Sequence, residues 1–237
     1  MRRVCSLFLF LLLPFTAQAQ TVPARGTEAT LDVATWNIEW FGDPSNGPSN
    51  DERQRENVRT VIEQSGIDLW ALQEIDDPAD FTLLLEELGD GYDGFYRDNA
   101  SSGVTQRLAF VYRPDVVQVR RVEQLLTPQY DYAFASRPPL KIDVDVTLPD
   151  TSVSLSVITV HMKALSDAES YERRAEAAVR LKNRIDIFYG SARLIVLGDF
   201  NDELGRSISG GGRTSPYTVF LEDPDDYRFL TLPLDAA

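Results

Sequence analysis

The chain has 237 residues, 43% of them hydrophobic, with 23 basic against 37 acidic side chains and a formal charge of −14. That length suits one domain with a sizeable core, and the acidity excludes a bulk electrostatic grip on nucleic acid. The one cysteine, Cys5, lies at the extreme N-terminus, which excludes a disulfide framework and thiolate chemistry from the rest of the chain.

In chain order, Arg2 and Arg3, an apolar stretch from Val4 to Phe15 and the Ala17-Gln18-Ala19 triplet read as an export signal over 1–19. The expected mature chain, 20–237, is a single domain with a periplasmic or extracellular address. The leader is too short to span a bilayer, and nothing later approaches the apolar length that a spanning helix needs.

"LDVATWN" (31–37) alternates as a strand and leads into a Gly/Pro/Ser/Asn-rich loop from Gly42 to Asn50. Asn50 or Asp51 caps the helix "ERQRENVRTVIEQS", in which Val58, Val61 and Ile62 share a face and Gly66 suits the C-terminal cap. "IDLWALQE" reads as an apolar strand ending at Glu74. Pro78 then opens the short helix "PADFTLLLEEL", stopped by Gly89.

Strands follow at "RLAFVYR" and "VVQVRRV". "LKIDVDVTL" and "SVSLSVITVH" flank Pro149 and Asp150 as a hairpin. The longest helix is expected over 168–188, with Ala175, Ala178, Val179 and Ile185 inward and Arg173, Arg174 and Arg180 on a solvated face. "RLIVLGDFND" (193–202) joins a buried strand to a polar cluster, and "SGGGR" (209–213) reads as a mobile loop. Helices interleaved with strands, one hairpin among them, predict mixed sheets covered by helices.

Four apolar runs end in a polar group: "VATWN" at Asn37, "LWALQE" at Glu74, "SVITVH" at His161, and "LIVLGDFN" at Asp199 to Asn201. If these ends share one edge, the groups converge in a crevice. One histidine and no cysteine beyond the leader argue against a structural or three-ligand zinc site of the common kinds. No GxxxxGK[ST] loop and no GxSxG elbow occurs in the sequence. The remaining set, two carboxylates and two carboxamides, suits magnesium or manganese with water and substrate phosphate completing the shell. Taken singly, Asp199 also reads as turn chemistry, Asn37 as a loop cap and His161 as a packed histidine. Glu74 fits a bland role less well, because it directly follows an apolar run and risks burial without a partner.

"WNIEWFG", "LWALQE", "VHMKA" and "VLGDFND", in that order, resemble the endonuclease/exonuclease/phosphatase superfamily, to which deoxyribonuclease I and neutral sphingomyelinases belong. The likeness runs from Leu31 to Leu234. "SYERRAEAA" and "SPYTVFLEDPDDYRFLTLPL" resemble a bacterial exported branch of it. The resemblance implies an α+β fold, a four-layer α/β/β/α sandwich of two packed mixed sheets, and metal-dependent phosphoester hydrolysis by direct attack of water. It places a Mg2+ or Mn2+ ion at Glu74 with Asn37 beside it. Asp199 would orient or deprotonate the water, and Asn201 and His161 would contact the phosphoryl oxygens. Glu39, Lys163, Arg107, Arg137 and Asp202 are weaker candidates for touching substrate.

The family's domain normally ends in a strand bearing an Asp-His pair, whereas this chain has one histidine and ends "TLPLDAA". The expectation is therefore that the last strands are missing and that catalysis is weakened. The alternative is a non-catalytic remnant or a metal- or phosphate-binding module of the same fold. A monomer acting on a phosphoester is expected, with DNA, RNA, a phospholipid head group and a small phosphate ester all left open.

Overall fold

A computed structural model describes residues 21–100 and 103–234. The expected leader and its cleavage point before Gln20 lie outside the described residues. The elements in order are β1 (Val33–Phe41), α1 (Asp51–Ser65), β2 (Leu69–Ile75), α2 (Pro78–Leu88), β3 (Asp93–Arg97), β4 (Arg107–Tyr112), β5 (Val117–Gln124), β6 (Leu140–Leu148), β7 (Thr151–His161), α3 (Ala168–Tyr189), β8 (Leu194–Asp199) and α4 (Thr218–Leu221). None of the described helices is long and apolar enough to cross a membrane.

The strands form two four-stranded sheets, ordered β1-β2-β4-β3 and β5-β6-β7-β8. Each is mixed: β1 with β2 and β7 with β8 are parallel, and the other neighbours are antiparallel. Three apolar clusters hold four layers together. Val58 and Ile62 of α1 with Phe81, Leu84 and Leu88 of α2 cover the outer face of the first sheet, meeting Ile38, Trp70 and Leu72. Ala177, Ala178, Leu181 and Ile185 of α3 cover Ile158 and Val160 of the second. Between the sheets Leu69, Ala71 and Phe110 pack on Ile142, Val144 and Val157. Each large apolar side chain buried this way contributes about 1.5–3 kcal/mol. The expected α/β/β/α sandwich is thus present.

Local signals act as their chemistry predicts. The Asn50 side chain caps α1 by accepting from the Arg53 amide, and Gly66 closes the helix at φ 72°, the left-handed conformation glycine adopts freely. Asp77 caps α2, with Pro78 at its first position.

Two expectations change. Strand β3 was not foreseen, because its Asp93-Gly94 start reads as a turn, yet it pairs along the whole of its length with β4. In α3 the inward stripe is Arg174, Ala177, Ala178, Leu181 and Ile185, while Val179 is exposed. Val179 lies two residues from Leu181, about 200° around the helix, so its apolar character cannot bring it to the sheet. Arg174, expected in solvent, takes a buried place instead.

Candidate active site

Along the strands the space between the sheets changes from apolar to polar. Beyond the apolar packing around Leu69, Ala71 and Val157 comes a rung of hydrogen bonds. There the Gln73 amide donates to Thr159 Oγ1 across the sandwich at 3.1 Å and to Thr35 Oγ1 beside it at 3.0 Å. Next come Asn37 and Glu74 from the first sheet and His161 and Asp199 from the second, the last two opposite each other in the β7–β8 register. The four strand ends singled out from sequence therefore do meet.

One bulge aims Glu74, and a second, just past Asn37, braces the pair. In β2, Trp70 and Leu72 pack outward, and then Ile75 rather than Glu74 takes the outer face. The register with β4 breaks between Leu72 and Ile75, and Glu74 sits at φ 67°. In β1 alternation already brings Asn37 to the inner face with Val33 and Thr35. The register with β2 breaks after it, between Asn37 and Phe41, with Glu39 at φ 51° and Trp40 at φ 48°, and the Glu39 amide donates to Asn37 Oδ1 at 3.0 Å. A bulge redirects a side chain that strict alternation would send to the other face, and each non-glycine residue held left-handed costs on the order of 1–3 kcal/mol.

A side chain missed from sequence supports the bulge. Gln54 of α1 is buried and donates from Nε2 to the carbonyls of Ile38 at 2.8 Å and Glu39 at 2.7 Å. Its signal was present: positions 54, 58 and 62 form one helical stripe, so a glutamine there faces the core with polar atoms that need partners. Glycine has a comparable task in β8. A Cβ on Gly198 would lie 2.0 Å from the Val160 carbonyl oxygen, so only glycine lets β7 and β8 close up just before Asp199.

The Asn37 side chain joins the two halves, donating from Nδ2 to Glu74 Oε1 at 2.8 Å and to Asp199 Oδ2 at 2.9 Å. The remaining oxygens accept from backbone amides, Glu74 Oε2 from Trp40 at 3.0 Å and Asp199 Oδ1 from Asn201 at 2.9 Å. Glu74 is the more enclosed carboxylate, with 11% of its side chain exposed against 26% for Asp199. Burial, with the Arg137 charge behind it, pushes His161 down to about 3. At neutral pH His161 is therefore uncharged, and its Nε2, 3.6 Å from Glu74 and 3.7 Å from Asp199, forms neither an ion pair nor a normal hydrogen bond. Burial also lowers Arg137 to about 10, against the opposing pull of Glu74 and Asp199. It stays cationic and offsets part of their charge.

Among the described residues no three His, Cys, Asp or Glu side chains are grouped to cage a metal ion. The donor set fits a hard divalent cation held from one side: two convergent carboxylates, with the other positions for water and substrate oxygen. Asn37 turns its nitrogen, not its oxygen, toward both carboxylates, so ligation through that oxygen requires the amide to rotate.

Asn201 is at the rim, at φ 51°, and its amide donates to the Met162 carbonyl at 3.1 Å. Lys163 is partly exposed there and donates to the Ala164 carbonyl. Glu39 is exposed on the β1 bulge, and Arg107 is engaged with Asp98 and the Asp76 carbonyl. Asp202 is a correction. Its side chain is 0% exposed and paired with Arg174, so it cannot touch a substrate.

The match to known families decides the identity. The model of the Endonuclease/Exonuclease/phosphatase family fits residues 34–226. This chain belongs to that family. Its members are hydrolases that generally use divalent metals, and Asn37, Glu74, His161 and Asp199 lie within the matched span. No curated protein sequence matches significantly.

Among solved structures, the human Nocturnin catalytic domain with bound sulfate anion is 20% identical over 80% of this chain and 68% of its own, at a TM-score of 0.57. A mannosyl-6-phosphatase from Bacteroides thetaiotaomicron is 16% identical over 76% of this chain and 68% of its own, at 0.57. D. rerio TDP2 complexed with single strand DNA product is 17% identical over 72% of this chain and 60% of its own, at 0.51. At these identities the likeness is one of fold, and the chain spans about two thirds or less of each relative's length.

Proposed function

We propose that this chain is an exported phosphoester hydrolase, a phosphodiesterase or nuclease-like enzyme dependent on Mg2+ or Mn2+, that acts by direct attack of water on phosphorus. The observation that carries the reading is the meeting of Glu74 and Asp199 from different sheets on the single amide of Asn37. Two carboxylates brought that close favour a cation between or beside them. Glu74 is the principal ligand in this reading, with Asn37 beside it. When bound, a divalent ion neutralises charge that develops on the phosphoryl group.

The residues of the chain do the rest. Asp199, the more open carboxylate, aligns the attacking water and takes its proton at Oδ2. Neutral His161 and the amide of Asn201 donate to phosphoryl oxygens, and Arg137 holds a compensating positive charge behind them. The relatives include one that acts on a sugar phosphate and one solved with a DNA product, which supports a phosphoester substrate without choosing between them. The charge of −14 favours a small or short substrate over a long duplex. The leader-like N-terminus supports export, and the chain is read as a monomer.

The test is magnesium-dependent hydrolysis of bis(p-nitrophenyl) phosphate, a sugar phosphate and plasmid DNA by the purified protein, beside Glu74→Ala and Asp199→Asn. Each substitution should lower turnover by about 10²–10⁴-fold while leaving the folded circular dichroism spectrum intact. Unchanged turnover in either variant would sink the site assignment.

A further inference from the structure

Helix α3 buries a cation that the proposed chemistry does not touch. The side chains of Arg174 and Asp202 are both 0% exposed, with Nε 2.9 Å from Asp202 Oδ2. The other guanidinium donors go to the chain on both sides: Nη1 to the carbonyls of Lys163 and Leu165, each at 2.7 Å, and Nη2 to Ser209 Oγ at 3.0 Å. Asp202 in turn accepts from Ser207 Oγ at 2.9 Å and from the amides of Glu203 at 2.9 Å and Ile208 at 2.8 Å. One planar fork thereby ties the loop after β7 to the loop after β8.

We propose that Arg174 and Asp202 form a positioning clamp, which sets the spacing between these two loops and so places Asn201 and Lys163 at the mouth of the site; this rests on the hydrolase reading above.

Two observations and one general principle carry it. Asn201 directly precedes Asp202, and its amide reaches back to the Met162 carbonyl, which also accepts from Arg137. Both loops hold non-glycine residues in the left-handed region, Leu165 at φ 80° and Asn201 at φ 51°, a conformation that persists only where neighbours enforce it. Finally, replacing a buried ion pair by apolar side chains of similar volume is often neutral or stabilising, so stability alone does not account for the pair. What an arginine fork adds is direction, because its donors fix several partners at set angles. Neither side chain reaches solvent, so neither is a substrate contact.

The deciding experiment replaces the pair by apolar groups, Arg174→Met with Asp202→Leu, in the full chain. The double variant is expected to melt within a few degrees of wild type while kcat falls about 100-fold and KM changes less than threefold. Wild-type kcat in the folded double variant would overturn the clamp. Should that variant not fold, Arg174→Lys decides. It keeps a charge against Asp202 but cannot reach both carbonyls, so kcat is expected to fall about tenfold, and an unchanged kcat overturns the proposal.

Hydrogen exchange gives a readout independent of turnover. In Arg174→Lys the amides of 163–166 and 203–209 should exchange faster while those of β7 and β8 do not; uniform acceleration, or none, counts against the clamp. If the wild-type protein hydrolyses no phosphoester, it is the hydrolase reading that has failed, and the exchange pattern alone decides for or against the clamp.

Discussion

The β6–β7 hairpin and the β1–β2 pair are built from the same kind of apolar residue and do opposite things. The hairpin keeps its register without a break from Leu140 opposite Thr159 to Leu148 opposite Thr151, and no residue in it is left-handed. The β1–β2 pair slips, and Glu39, Trp40 and Glu74 are all left-handed where it does so. Regular pairing buries apolar surface on both faces and holds the sandwich. Irregular pairing spends some of that stability to turn Glu74 inward beside Asn37, where the two meet two more polar side chains from the other sheet.

That contrast is broken most sharply at Glu74. Glu74→Gly removes the carboxylate and should cut metal-dependent turnover by about 10³-fold, some 4 kcal/mol of barrier. Its effect on stability should be near zero, since relief of about 1–3 kcal/mol of left-handed strain offsets two lost hydrogen bonds of about 1 kcal/mol each. A thermal melt more than about 8 °C below wild type, where each kcal/mol shifts the midpoint by 2–4 °C, would show that Glu74 has a structural role as well.

The reverse is expected in the hairpin. Ile142 is fully buried between the sheets, so Ile142→Ala should destabilise by about 2–5 kcal/mol in urea unfolding. The kcat of the protein that remains folded should be unchanged. A large fall in that kcat would mean that the two regions are not separable.

The smallest effect sharpens the comparison at its boundary. Gln54→Ala leaves the Ile38 and Glu39 carbonyls without their buried donor, and should cost about 1–3 kcal/mol. Because the β1 bulge then relaxes, turnover should fall too, in contrast to Ile142→Ala. Stability lost with turnover intact would mean that the bulge holds without Gln54.

What could be read in the sequence follows the same division. Asn37, Glu74, His161 and Asp199 stood out because each closes an apolar run, and a polar group in that place needs a reason. The hairpin was plain for the opposite reason, since strict alternation around Pro149 and Asp150 leaves one arrangement. The bulges were not legible: alternation says where a side chain should point, and a bulge is its local failure, set by neighbours distant in sequence. The stripe at 54, 58 and 62 shows that Gln54 faces the core, but not its partners, the carbonyls of Ile38 and Glu39 in β1. Those of Arg174, at Lys163 and Leu165 after β7, are equally hidden, because a sequence displays a carbonyl identically at every residue. Val179 reads as inward by its hydrophobic character, but its angular position on α3 leaves it exposed.

The rung formed by Gln73 has a mechanical consequence. The hydrophobic effect between two sheets has no preferred direction, so it does less than a hydrogen bond to select one exact placement of a sheet over the other. The bond from Gln73 to Thr159 is directional and crosses the gap one step below the carboxylates. It works as a dowel between two plates. Each plate carries half of the site, and a displacement of about 1 Å between reacting groups can lower a rate 10²-fold. The spacing of the proposed site thus rests, together with the Asn37 bridge, on a neutral amide that lies outside the carboxylate pair.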